Sequence, residues 1–212
     1  MPFAPPAVFY DVTKPIHSEM LSYPGDPAFS KESICSLDQG GLCNLLHVHM
    51  SNHVGTHIDF PAHFIRGGKT SADFSLLHLM GRCLVIEIGP NTPLIQPEHL
   101  ENQSIQEGDI IFFKTSNSTL TEYSEKYTAI SPAAARYLRE KKVKIVGIDY
   151  LSVDAHGDLA FPVHHELLSH DILIVENLEL KEVYAGLYYA RIYPLNLKEV
   201  DGSPSRVSLE RA

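Results

Sequence analysis

The sequence predicts a mixed α/β (α+β) fold formed as one domain over residues 1–212. Three observations carry that expectation. Apolar runs of strand length recur along the chain, segments with helix-start signals fall between some of them, and no repeat, low-complexity tract or long linker divides the chain.

In chain order the first strong run is Leu84 to Ile88, followed by a short helix expected near Pro97 and a second run from Ile110 to Phe113. The segment SPAAARYLREKKVK, from Ser131 to Lys144, then predicts a longer helix. Ser131 can cap it, Pro132 suits its first turn, and Ala135, Leu138 and Val143 form one apolar stripe. Ile145 to Ile148 reads as the next strand, His164 to Leu168 as a further helix, and Ile172 to Val175 as the strand that follows. These runs are rich in Val, Ile and Phe and are flanked by Gly, Pro or Asp, as strands buried on both faces are.

Composition narrows the function classes. The chain carries 17 Lys+Arg against 26 Asp+Glu, a formal net charge of −9. Such a surface repels phosphate backbones and anionic lipid, so neither nucleic acid nor membrane is an expected partner. No apolar run approaches the roughly 18 residues of a membrane span. The stretch MPFAPPAVFYDVTKPI has neither the basic start nor the unbroken apolar centre of a secretory signal. Cys35, Cys43 and Cys83 are odd in number and form no CxxC pair, which argues against a disulfide framework and for the cytoplasm.

Histidine is the anomalous residue. Five of the 12, His47, His49, His53, His57 and His63, lie within 17 residues, where even scatter puts about one. In LLHVHMSNHVGTHIDFPAHF the odd-numbered positions are polar or small and the even-numbered ones mostly apolar. An extended segment of that period projects the histidines and Asp59 from one face. A helix also places His53 and His57 on one face, but Gly55 interrupts it, no Glu follows His53, and Asp59 would be rotated about 240° away. Pro61 ends regular pairing, so His63 is expected on a turn folding back to the same place.

Imidazoles and a carboxylate aimed at one point repel or desolvate one another unless a cation sits between them. His53, His57 and Asp59 are therefore candidate ligands of a divalent transition metal, zinc, manganese or iron. His47, His49 and the dispersed His17, His78, His99, His156 and His170 are read as hydrogen-bonded surface or core residues.

The run from His53 through Gly55, Thr56, His57, Asp59 and Pro61 to His63 resembles the HxGTHxDxPxH signature of the metal-dependent cyclase family, which includes bacterial kynurenine formamidases and isatin hydrolase. A second signature of that family, a His and a Glu twelve positions apart, is matched by His164 and Glu176. The likeness runs from the YPGD at Tyr23 to Asp26 through Leu178. It implies a swivelling β/β/α architecture with a barrel-like sheet core, and a homodimer or homotetramer in which neighbouring chains help to close the site. It also implies two divalent cations, Zn2+ first and Mn2+ second. His53, His57 and Asp59 go to one, His164 to the other, and Asp59 and Glu176 are shared; His63 takes the acid/base position, and His165 falls outside the spacing. Tyr23 stands where the formamidases carry a Trp lining the substrate pocket, and a Tyr ring can also stack on an aryl group.

The chemistry this resemblance implies is hydrolysis of a small aromatic amide, above all conversion of N-formyl-L-kynurenine to L-kynurenine and formate, with His63 moving the proton. Ring opening of a cyclic amide such as isatin is the enzymatic alternative, and a non-catalytic metal-binding module the alternative from another class. Phe64, Phe74 and Phe161 are candidate pocket residues. Ser116 and Ser152 follow strands but lie in no GxSxG elbow, which disfavours a serine nucleophile.

Overall fold

Twelve strands and two α-helices follow one another through residues 8–211, the part of the chain that the computed structural model describes. Residues 1–7, the beginning of the stretch read above for a secretory signal, lie outside it. The strands β1 (Val8–Asp11), β2 (Ser30–Cys35), β3 (Leu45–His49) and β4 (His57–Asp59) come first. Next are β5 (Met80–Glu87), β6 (Leu94–Ile95), β7 (Ile110–Lys114) and β8 (Ala129–Ile130). The helix α1 (Pro132–Glu140), β9 (Ile145–Ile148), α2 (Pro162–Leu168), β10 (Leu173–Glu176), β11 (Gly186–Pro194) and β12 (Gly202–Arg211) complete the order.

Seven strands close into a ring, β12-β11-β5-β7-β9-β10-β4 and back to β12, with β1 extending the edge of β12 beyond β4. The neighbours β5, β7, β9 and β10 run parallel, and the other pairs of the ring are antiparallel. This is the mixed, barrel-like sheet the sequence resemblance implies. Parallel neighbours need crossover connections, which α1 supplies between β7 and β9 and α2 between β9 and β10.

The apolar runs alternate between two cores. Ile110, Phe112, Ile145, Leu173 and Val175 join Ile192, Val207 and Leu209 inside the ring. Ile111, Phe113, Val146, Ile148 and Ile174 turn outwards onto Ala134, Ala135 and Leu138 of α1 and Val163, Leu167 and Leu168 of α2. Burial on both faces is why these strands read as continuous apolar runs.

The start of α1 follows its sequence signals, since the Ser131 hydroxyl accepts the Ala134 N–H at 3.1 Å and Pro132 occupies the first turn. Its end comes earlier than the apolar stripe suggests. The chain leaves the helix with Lys142 at φ 56°, and Val143 is buried beyond it, leading into β9. The helix expected near Pro97 is a single 3-10 turn, Pro97–His99. No helix of the described residues is long and apolar enough to cross a membrane.

Candidate metal-binding active site

Strand β4 is three residues long and lies between β10 and β12. Ile58 joins the core inside the ring, so the alternation of the strand turns His57 and Asp59 to the opposite face, the side on which α2 packs. Strand register adds the next residue. Glu176, at the end of β10, stands directly across from His57, and Gly202 across from Asp59. The helix α2 contributes His164. The period-two reading is correct for His57 and Asp59, but the extended segment is not continuous. It breaks after β3, and His53 arrives from the turn that joins β3 to β4.

Gly55, in the left-handed region at φ 64°, permits that turn, and its carbonyl accepts Nδ1–H of His57 at 2.9 Å. His57 is thereby oriented with Nε2 towards the carboxylates. Asp154 does the same for His164: its Oδ2 accepts Nδ1–H at 2.6 Å, and the same carboxylate accepts the backbone N–H groups of Val163 and His164. An imidazole fixed in this way through one nitrogen presents the other as a ligand.

Asp59 is fully buried and divides its oxygens between two sets of imidazoles. Oδ1 lies 2.8 Å from His53 Nδ1 and 3.3 Å from His57 Nε2, whereas Oδ2 lies 3.7 Å from His164 Nε2. Glu176 repeats the division, with Oε2 3.6 Å from His57 Nε2 and Oε1 3.3 Å from His164 Nε2. Asp59 Oδ2 is buried with no hydrogen-bond partner, a costly arrangement for a carboxylate oxygen unless a cation meets it. Donor atoms around a tetrahedral zinc stand about 3.3 Å apart at bond lengths of about 2.0–2.1 Å, and these separations bracket that value. The residues fit a divalent metal by geometry and by chemistry.

Electrostatics separates one histidine from the rest. Burial works to lower the pKa of His53, but its hydrogen bonds to Asp59 and Asp201 outweigh that and the pKa is pushed up to about 9. His57 and His164 are raised in the same way against burial, His57 by Asp59 and Glu176, His164 by Asp154, Asp59 and Glu176. Burial alone would raise Asp59, yet the surrounding imidazoles hold it well below the usual carboxylate range. His63 moves the other way. Burial, reinforced by the neighbouring His53 and His164, lowers its pKa despite Asp59 and Glu176. It is the imidazole kept neutral beside others drawn towards protonation.

His63 sits on the 3-10 turn Pro61–His63, as the proline led one to expect. It stacks on His53 at 3.9 Å between centroids and has a ring nitrogen within 4.8 Å of ligand atoms of Asp59 and His164. Its Nδ1–H donates to Asp201 Oδ2 at 3.2 Å, which leaves Nε2 with the free lone pair.

Above these groups a cavity of about 220 Å3 opens, walled by Leu21, Tyr23, Val54, Phe64, Leu151 and Phe161. Tyr23 lines this cavity, set edge-on to Tyr123 at 6.2 Å. Phe64 lies 4.3 Å from the His164 ring, and Phe161 is held in the left-handed region just ahead of Pro162. Phe74 is not part of this wall; it stacks on Phe60 at 5.7 Å, beyond the barrel strand. His165 is exposed. His17, His99, His156 and His170 make hydrogen bonds to nearby groups, and His47 and His49 lie on the exposed β3 beside Glu32.

Sequence reasoning missed Asp154, Asp201 and Gly202. The Asp-Gly pair at 201–202 signals a turn, but nothing local signals that Asp201 meets His53 and His63, 148 and 138 residues away. Gly202 is needed for space: a Cβ there would stand 2.3 Å from Cε1 of His53. Gly202→Ala is expected to destabilise the fold by about 1–3 kcal/mol, the usual range for overpacking. Denaturant unfolding measures this, and a variant of wild-type stability would mean that the His53 ring is free to move aside.

Buried carboxylates set between oriented imidazoles on the outer face of a closed mixed barrel, under an aromatic-walled pocket, form a cluster that could hold a divalent cation. The Cyclase family, described as "Putative cyclase", matches residues 10–155, and the chain belongs to that family. The kynurenine formamidase of Bacillus cytotoxicus is 33% identical over 197 residues, covering 92% of this chain and 94% of that protein. The kynurenine formamidase of Bacillus anthracis is 32% identical over the same share of each. Among solved structures, a "Potential Metal-Dependent Hydrolase With Cyclase Activity" superposes with a TM-score of 0.87 at 33% identity, covering 97% of this chain and 98% of that one. Isatin hydrolase A from Labrenzia aggregata shares the fold, with a TM-score of 0.83 at 22% identity over 96% and 93% of the two chains.

Proposed function

We propose that this chain, as one hydrolase domain over residues 1–212, hydrolyses an aryl formamide, with N-formyl-L-kynurenine giving L-kynurenine and formate. The observation that carries this reading is the way Asp59 and Glu176 each turn their two oxygens to different imidazoles, beneath an aromatic-walled cavity. The reading has His53, His57 and Asp59 holding one divalent cation and His164 a second, with Asp59 and Glu176 shared, zinc being the first metal to test and manganese the next. Such cations supply Lewis acidity, polarising the amide carbonyl and lowering the pKa of water.

The chain's own residues do the rest. Asp154 and the Gly55 carbonyl fix the tautomers of His164 and His57. Asp201 fixes that of His63, so that Nε2 takes the proton from the attacking water and then passes it to the leaving nitrogen. That second transfer matters because an arylamine leaves poorly as its anion. The lowered pKa of His63 keeps the base form available at neutral pH. Tyr23, Phe64 and Phe161 offer faces for the aryl ring and exclude water around the reacting carbonyl. Tyr23→Ala is expected to raise KM for an aryl formamide about tenfold with a smaller change in kcat; an unchanged KM removes Tyr23 from substrate binding.

The cavity volume also admits a compact bicyclic amide such as isatin, which is the second reading. Turnover of N-formyl-L-kynurenine and of isatin by metal-reconstituted protein, measured side by side by absorbance, decides between them. Hydrolysis of neither, in protein that holds metal, would contradict both and leave a metal-binding module.

The reading includes a homodimer or homotetramer in the cytosol. Supporting it, the β2–β3 ribbon exposes Leu46 and Val48 on one face and Leu42 at its tip, apolar surface of the kind a second copy covers. A monomer in sedimentation velocity would contradict the assembly.

A further inference from the structure

A separate group of ligand atoms comes together on the β2–β3 ribbon, away from the central site. β2 and β3 pair antiparallel, with Glu32 directly opposite His47 and Ser30 opposite His49. The alternation of the pleat therefore puts Glu32, His47 and His49 on one face and leaves Leu46 and Val48 on the other. One carboxylate oxygen, Glu32 Oε1, lies 3.0 Å from His47 Nδ1 and 3.6 Å from His49 Nε2. The two rings stand 4.1 Å apart between centroids, tilted by 40°, and all three ligand atoms fall within 4.8 Å of one another.

We propose that Glu32, His47 and His49 form a second kind of metal site on this chain, taking a borderline divalent transition cation such as zinc and clipping β2 to β3. The separations of 3.0 and 3.6 Å bracket the roughly 3.3 Å between donor atoms around tetrahedral zinc. Two nitrogens and one oxygen suit such a cation better than magnesium or calcium, which prefer all-oxygen sets. Exposed ion pairs from Glu32 to the two histidines contribute little, and a cation between the three groups would engage all of them at coordination distance.

The side chains of Glu32, His47 and His49 are 59%, 56% and 52% exposed, so water completes the coordination and the cation exchanges readily. The consequence is local order. A two-stranded ribbon is marginal by itself, and the ring of barrel strands does not include β2 or β3. A cation bound to both strands restrains the ribbon, and with it the short turn from His49 to His53 that delivers a residue of the central site.

The test is equilibrium dialysis of the full chain against buffered free zinc, comparing wild type with the H47Q/H49Q double variant and with Glu32→Gln. Wild type is expected to bind one zinc equivalent more than H47Q/H49Q. Loss of an outer partner of a metal site costs about 10–100-fold in affinity, so loss of the Glu32 ligand should weaken the extra step at least about tenfold. Limited proteolysis within residues 30–49 should slow severalfold on adding zinc to wild type and not to H47Q/H49Q. Superimposable isotherms for the three proteins, each retaining the wild-type circular dichroism spectrum, would overturn the site. An extra equivalent without ribbon protection would overturn the clip. Because the comparison is a difference between variants, filling of the central site cancels from it.

Discussion

Asp59→Asn is expected to abolish metal retention and amide hydrolysis together. The substitution keeps the shape of the side chain and removes its charge. In the wild type that charge is fully buried, with one oxygen towards His53 and His57 and the other towards His164. An amide offers one oxygen and a donating nitrogen, so one side of the division faces an N–H where it needs a lone pair. Three imidazoles around Asp59 also lose the carboxylate that favours positive charge at their centre, and leaving such charge without its partner costs about 3–5 kcal/mol. The expected result is at least about a thousandfold loss of kcat/KM, equivalent to roughly 4 kcal/mol, with metal content near zero after gel filtration. A folded Asp59→Asn protein that keeps its metal and works within tenfold of wild type would remove Asp59 from the centre.

His63→Ala should behave differently. Its ring touches the same cluster, with a nitrogen within 4.8 Å of ligand atoms on Asp59 and His164, so proximity alone would also allow it to be a ligand. Two features argue for proton transfer instead. Its Nδ1 is committed to Asp201, and its pKa is lowered where those of His53, His57 and His164 are raised. His63→Ala is therefore expected to keep wild-type metal content while kcat falls by about 10^2 to 10^4, the usual scale for loss of a general acid/base, with KM little changed. Asp201→Asn should reproduce part of that loss and move the pH profile, because it alters which His63 nitrogen carries the proton. Metal loss in His63→Ala equal to that in Asp59→Asn would overturn the division of roles.

Much of this site could be read from the sequence because two local rules suffice for it. The alternation of an extended strand puts His57 and Asp59 on one face, and a proline explains the turn that carries His63. The interleaved strands and helices gave the fold class for a similar reason, since residues buried on both sides of a sheet must be apolar without interruption. What could not be read is what register decides. Glu176 is named through the family resemblance alone, and its place across from His57 comes from the pairing of β10 with β4; Gly202 lies beside His53 because β12 pairs with β4's other edge. Neither pairing leaves a local trace. Asp201 and Asp154 are common polar residues whose importance comes from partners that only folding brings close. His47 and His49 show the reverse limit. They share the period of the cluster and lie a few residues from it, yet they belong to a different ribbon, because the chain leaves β3 before it enters the barrel.

We propose that this cluster hydrolyses amides through a bound divalent metal. The most direct test follows formation of L-kynurenine from N-formyl-L-kynurenine in protein stripped by a chelator and then titrated with zinc or manganese. Activity should vanish on stripping and return in proportion to the metal bound at the central site, reaching its plateau when that site is filled. Undiminished turnover in fully stripped protein, or no turnover at full occupancy, would contradict it.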